Sequence, residues 1–269
     1  MATLSVQPNP RVTFGIRHAD EHVLVVEKRS GLVTQPGVGH EHDTLLNGLF
    51  ETYGPKLQNL GQSRDFGLVH RLDRETSGLL VIALTADAYD GLRKAFQERT
   101  IRKFYWAVCK SAPRDAEGVI RLSLGERVKR VDRYTSVRRG VINKSGKQAL
   151  TAYRVLAGND LAALIEARPV TGRLHQIRLH LDAIGATVLG DPLYGSETSR
   201  SRAPRLALHA HRLAFSHPVT GEVIDIRAAW PGDLRALLRT MELPRPDLEP
   251  PSADGGHEPA GDAVGNEPA

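Results

Sequence analysis

The stretch His70-Arg71-Leu72-Asp73-Arg74-Glu75-Thr76-Ser77-Gly78 sets one aspartate between two arginines, then runs straight into an apolar segment, residues 79–84 (LLVIAL). The pattern predicts a polar loop at the mouth of a buried strand, an arrangement in which a rigid scaffold holds catalytic groups from behind. A guanidinium beside a carboxylate favours its ionised form, the form a nucleophile or base requires. The residues alone leave a second reading open, in which Asp73 closes its own turn and Thr76 and Ser77 bond nearby backbone. A second segment, residues 168–178 (RPVTGRLHQIR), is punctuated by Pro169 and Gly172 and predicts a turn followed by a helix over 173–184. At about 100° per residue, Leu174, Ile177, Leu181 and Ile184 form one apolar stripe flanked by Arg173 and Arg178. An arginine at such a border either reaches a carboxylate in a cleft while its stem packs, or simply covers the core edge.

Other signatures fail on spacing. Gly37-Val38-Gly39 begins like a dinucleotide fingerprint, but His42 stands where its third glycine belongs. Residues 140–148 (GVINKSGKQ) are one residue too long for a phosphate loop, and Gln148 replaces the hydroxyl that would hold magnesium. His40, His42, His175 and His180 lack the spacing that sets two imidazoles on one helical face, so no metal site is expected. No GxSxG elbow is present.

These segments need elements to position them. Residues 22–28, 79–84, 103–109, 119–124, 149–156, 162–167, 206–215 and 223–228 read as strands. Residues 87–99, 173–184 and 233–241 read as helices. Asp43 is the expected N-cap of a further helix whose Leu45, Leu46, Leu49, Phe50 and Tyr53 share a face. Strands come in runs rather than alternating with helices, which predicts an α+β fold with a mixed, largely antiparallel central sheet flanked by helices.

The 269 residues carry a net charge of +5, 41% hydrophobic residues and a single cysteine, Cys109. An intramolecular disulfide and a multi-cysteine zinc site are excluded. No apolar run approaches a membrane span, and no secretory leader is read at the start. The expectation is a cytoplasmic protein with no membrane association. The charge is uneven. Residues 244–269 hold six prolines, four glycines and six acids against one base, and are expected to form a disordered acidic tail. The tail's −5 leaves residues 1–243 at +10, a balance that points to a polyanion such as nucleic acid.

The segment HRLDRETSGLLV (70–81) resembles the catalytic motif of the RluA family of pseudouridine synthases. Residues 102–108 (RKFYWAV) resemble that family's tyrosine motif. Further resemblance lies in 169–178 with His180-Leu181, in 189–195 (LGDPLYG), and in Leu208-His209-Ala210 with 215–222 (FSHPVTGE). The resemblance runs from about Val12 to Pro231 with the motifs in order, although the S4 RNA-binding domain that many relatives carry ahead of the motifs is not found. It implies a catalytic domain over 1–243 with a cleft of the pseudouridine synthase fold. It also implies isomerisation of uridine to pseudouridine in structured ribosomal or transfer RNA. That reaction breaks the C1′–N1 bond, turns the uracil and rejoins it through C5, with no cofactor and no metal.

The family's essential aspartate matches Asp73, which either attacks C1′ or promotes loss of the 2′ proton. Its basic partner matches Arg178, with an ion pair holding Asp73, and Arg173 is the runner-up from helix geometry. Tyr105 matches the tyrosine that stacks on uracil and relays the C5 proton; the residues alone leave open a strand aromatic in the core. His70 reads as a satisfied loop histidine. A base that reacts must leave its stack, and the displaced phosphates need cations. Arg71 and Arg74 are expected beside the flipped nucleotide. Residues 127–147 set eight bases, Arg130, Arg138 and Arg139 among them, against one acid, and suggest a basic hairpin or long loop. The alternative to an enzyme is a non-catalytic RNA-binding or chaperone module using the same cleft. A monomer is expected in either case.

Overall fold

The computed structural model describes residues 5–130 and 136–247, without the side chains at 129, 130, 136 and 137. In chain order the strands are β1 (Gly15–Ala19), β2 (Val23–Lys28), β3 (Ser77–Ala83), β4 (Arg102–Cys109) and β5 (Glu117–Arg130). They continue with β6 (Ser136–Ile142), β7 (Lys147–Gly158), β8 (Ala163–Pro169), β9 (Leu208–Ser216) and β10 (Val223–Arg227). The helices are α1 (Leu45–Leu60), α2 (Ala86–Gln97), α3 (Gln176–Ala183), α4 (Glu197–Ser201) and α5 (Arg235–Thr240). All ten strands join one sheet in the order β1-β2-β3-β9-β4-β8-β7-β5-β6, with β10 also on β9. Every pairing is antiparallel except β3 with β9. This is the mixed, largely antiparallel α+β sheet that the strand runs predict.

The unbroken apolar run of β3 has a simple cause: both of its faces are covered. Leu80 and Ile82 pack with Leu24 and Val26 against Leu45, Leu49, Phe50 and Leu57 of α1. Leu79 and Val81 pack with Val23 and Val25 against Tyr89 and Leu92 of α2. Helix α1 starts one residue later than expected. Thr44, not Asp43, caps it, because the Thr44 side chain accepts from Asn47 N while Asn47 Oδ1 accepts from Thr44 N.

β9 holds the sheet together. Its first residues lie between β3 and β4, and its later ones between β10 and β4. The parallel contact with β3 is only two residues long, Ser77 with His209 and Gly78 with Ala210. Gly78 sits at φ +120°, and a Cβ there would fall 2.3 Å from the Ala210 carbonyl oxygen. Only glycine permits this approach, and the polar loop ends immediately before it. The basic segment expected as a hairpin or long loop is a hairpin of β5 and β6, pairing Arg127 with Arg139 and Val128 with Arg138. From residue 248 onward, the expected acidic tail lies outside the described residues.

Candidate active site

The loop ahead of β3 is held through its main chain. The Lys28 ammonium, fully buried at the end of β2, donates to the carbonyls of Arg29, Leu32 and Arg74. Gly31 N also donates to Arg74 O, Ser30 Oγ to Glu75 O, and Thr34 Oγ1 to Leu72 O. Asp73 O accepts from Thr76 N, closing the turn. The carbonyls of residues 72–75 are therefore all occupied, and Leu72 and Thr76 are buried on either side. The Asp73 carboxylate remains partly exposed and is not used to close its own turn. Burial pushes the Lys28 ammonium down to about 7, against the pull of Asp73 and Glu75. His70 Nε2 accepts from Val81 N, and burial pushes its pKa down to about 3, so it is the satisfied loop histidine that was expected.

Tyr105 enters from β4. There the β9 partner skips one residue: Phe104 pairs with Arg212 and Tyr105 with Ala210, leaving His211 bulged. Such a bulge re-aims neighbouring side chains. Burial raises the Tyr105 phenol well above its ordinary value, and the nearby Asp73 charge adds to this.

Arg178 faces Asp73 as the resemblance implies, but its closer partner is Asp191. Its Nε and Nη2 bond both oxygens of Asp191, at 2.7 and 2.6 Å, with the two side chains only 2% and 1% exposed. The third nitrogen, Nη1, faces Asp73 Oδ2 at 3.7 Å. The clamp is thus between Arg178 and Asp191, and Asp73 takes the free edge of the guanidinium. Asp191 Oδ1 also accepts from Leu193 N and Tyr194 N. Burial alone raises the Asp191 carboxyl, but these bonds outweigh it and hold it below its ordinary value.

Helix α3 starts at Gln176 and not at Arg173. The buried Gln176 amide accepts from Thr171 Oγ1 and Arg173 N and donates to Leu150 O and Thr151 Oγ1, so residues 171–175 form a tied turn. His175 ends that turn in the left-handed region, at φ 55°, ψ 25°. Its Nδ1 lies 2.8 Å from Tyr194 Oη, and its Nε2 lies 3.9 Å from Asp73 Oδ2. Burial lowers its pKa, opposed by Asp73. Sequence reasoning assigned no role to His175, Asp191 or Tyr194. The only signal was that all three fall inside quoted motifs.

Asp73, Tyr105, Arg178, Arg71 and Arg173 share one cleft of about 700 Å³, with His175 and Leu174 in its wall. Arg173 is exposed there, and its Nε reaches Gln148 O at 3.4 Å. Arg74 does not line this cleft and pairs with Glu75 at 3.5 Å. Arg138 pairs with Glu126 on the hairpin at 3.8 Å. Arg139 bonds Leu193 O and stacks on Tyr194, 4.6 Å from the ring centre. The Arg130 side chain lies outside the described residues. Among the described residues no three His, Cys, Asp or Glu side chains gather to hold a metal ion, and no helix is long and apolar enough to cross a membrane.

A family model described as RNA pseudouridylate synthase matches residues 22–183. The chain is 37% identical over 231 residues to the ribosomal large subunit pseudouridine synthase D of Zymomonas mobilis, covering 83% of this chain and 71% of that one. It is also 37% identical over 215 residues to the dual-specificity RNA pseudouridine synthase RluA of Escherichia coli, covering 79% of this chain and 91% of that one. Among solved structures, human RNA pseudouridylate synthase domain containing 4 superposes with a TM-score of 0.66 at 25% identity, over 86% of this chain and 94% of that one.

Proposed function

The chain belongs to the RNA pseudouridylate synthase family, and from that premise we propose that it isomerises specific uridines of structured ribosomal or transfer RNA, with Asp73 as the essential carboxylate. The observation that carries this reading is a partly exposed carboxylate with its loop backbone fully tied. It sits 3.7 Å from the free edge of a buried guanidinium and shares its cleft with a phenol. Asp73 engages the ribose at C1′ or its 2′ proton, the C1′–N1 bond breaks, and the uracil rejoins through C5. Arg178 keeps a positive charge on the Asp73 side of the cleft. The Asp191 fork fixes that guanidinium's direction, since a bidentate pair sets orientation as well as charge. Tyr105 faces the base as a neutral ring. Burial raises its phenol pKa and keeps the ring neutral, a surface on which uracil stacks. The direct experiment maps pseudouridines across total RNA from cells with and without this protein. Loss of specific sites is expected, and an unchanged map refutes the reading.

A stacked base is out of reach, so the target nucleotide is extruded or already lies in a loop. Arg71 and Arg173 line the cleft where its phosphates would pass, and Arg74 lies one step outside. Arg138 and Arg139 extend the cationic track along the hairpin, and Arg130 joins the proposal from the sequence alone. Charge reversal at Arg138 and Arg139 lowers RNA affinity and flattens its dependence on salt. Each lost phosphate contact removes about 0.7–0.9 from the slope of log K against log salt. Titrations at several salt concentrations read this directly, and an unchanged slope removes the hairpin from the RNA path. A cytoplasmic monomer fits an RNA substrate and a lone, buried cysteine.

A further inference from the structure

We propose that Lys103, with Arg93 and Arg99, forms a phosphate clamp at the α2 end of the cleft, which grips the RNA backbone beside the reacting uridine. The inference rests on the isomerase reading above and places one phosphate of its substrate.

Two lysines of the sheet are satisfied in opposite ways. The Lys28 ammonium gives all three protons to main-chain carbonyls. The Lys103 ammonium stands half-buried in the cleft wall, facing the Phe96 ring at 5.5 Å, and among the described residues it has no hydrogen-bond or ion-pair partner. Withdrawing an ammonium from water costs free energy unless an anion meets it, and burial pushes this one down to about 8. The carboxylates of the neighbourhood are turned to other groups. Asp73 faces Arg178 and His175, Glu126 pairs with Arg138, and Glu98, next to Arg99, pairs with Lys94. An anion for Lys103 therefore comes with the substrate, and the anion that RNA brings is phosphate.

Lys103 and Tyr105 are two residues apart on β4, so they share its cleft face, about 7 Å apart along the strand. A nucleotide whose uracil lies on Tyr105 and whose ribose meets Asp73 carries one of its two flanking phosphates towards Lys103. Two guanidiniums stand in the same wall. Arg93 is exposed on α2 and donates Nη1 to Val69 O at 3.4 Å, with its remaining donors left for a ligand. Arg99 occupies a strained position. Its N donates to Phe96 O while Thr100 N donates to Ala95 O, the pair of bonds that ends a helix on a left-handed residue. Arg99 is that residue, at φ 61°, where glycine is the usual choice. An exposed arginine there fits a site that accepts strain in order to set a cation at the cleft.

The test uses the full chain as wild type, Lys103→Met and Arg99→Gly, with a synthetic stem-loop built around a uridine that the pseudouridine map assigns to this protein. Methionine keeps the apolar stem of Lys103, and glycine relieves the backbone at Arg99. The Tm of each variant is expected to equal or exceed the wild-type value. RNA affinity falls about tenfold or more in each, and the slope of log K against log salt loses about 0.7. A neutral methylphosphonate is then placed in turn at the two linkages flanking the uridine. In wild type one of the two weakens binding by a similar factor, and in Lys103→Met that same linkage costs nothing further. Wild-type affinity and slope in either variant overturn the clamp. So do equal methylphosphonate losses in wild type and Lys103→Met at both linkages, or weak binding that comes with a lower Tm, which assigns the cations to the fold. An empty pseudouridine map overturns the isomerase reading instead, and the slopes measured on a plain oligouridylate still read the clamp.

Discussion

An Asp73→Asn chain forms no measurable pseudouridine yet binds RNA as tightly as the wild type. The substitution keeps the shape of the side chain and removes its charge and nucleophilicity. The side-chain nitrogens that face the carboxylate, Arg178 Nη1 and His175 Nε2, are 3.7 and 3.9 Å away, beyond hydrogen-bond distance. The loop is tied through its main chain at residues 72–75, so nothing in the fold depends on the carboxylate. Stability should stay within about 0.5 kcal/mol of wild type, as for a surface change. Turnover should fall on the order of 10⁴-fold, since the residue at the reacting carbon is gone. Product formation on labelled RNA and binding titrations on the same preparations separate the two effects. Equal activity in both proteins would remove Asp73 from the chemistry.

Arg178→Met damages both fold and activity, and a second change repairs only the fold. Without the guanidinium, Asp191 is left as a buried charge with two backbone donors and no counter-ion. Breaking one side of a buried pair costs about 3–5 kcal/mol, a fall of roughly 10 °C in Tm for a chain of this size. Adding Asp191→Asn removes the orphaned charge. The new amide oxygen still accepts from Leu193 N and Tyr194 N, so most of the lost stability should return. Pseudouridine formation should not, because Asp73 still lacks its cation. Thermal melts and turnover assays on the single and double variants test this. Recovery of activity in the double variant would make Arg178 purely structural.

Much of this site was legible because each of its parts stands in a dense local motif, although the motifs lie far apart in sequence. Asp73 stands in one dense motif, and the strand behind it is a run that only a doubly covered position requires. Arg178 was legible as a cation at the cleft, but its principal partner was not, since nothing in the sequence links it to an aspartate 13 residues on. The start of α3 was misplaced because Arg173-Leu174-His175 continue the helical pattern, whereas the Gln176 amide ties that stretch into a turn. The capping of α1 turned on Asn47, whose return bond selects Thr44 over the neighbouring Asp43. Strand β1 passed unseen because its residues, Gly-Ile-Arg-His-Ala, lie at an edge and are almost all exposed, without the alternation that marks a half-buried strand.

The short parallel seam between β3 and β9 sets a schedule for assembly. Ser77 Oγ meets His209 Nδ1 at 2.9 Å across 132 residues of chain, and contacts so distant in sequence form late because loop closure precedes any gain from them. A growing polypeptide holds the aspartate turn and its tyrosine strand long before the strand that joins them exists. Premature termination between residues 178 and 208 therefore yields a chain with the reactive groups but no enzyme, and its exposed β3 and β4 edges mark it for aggregation.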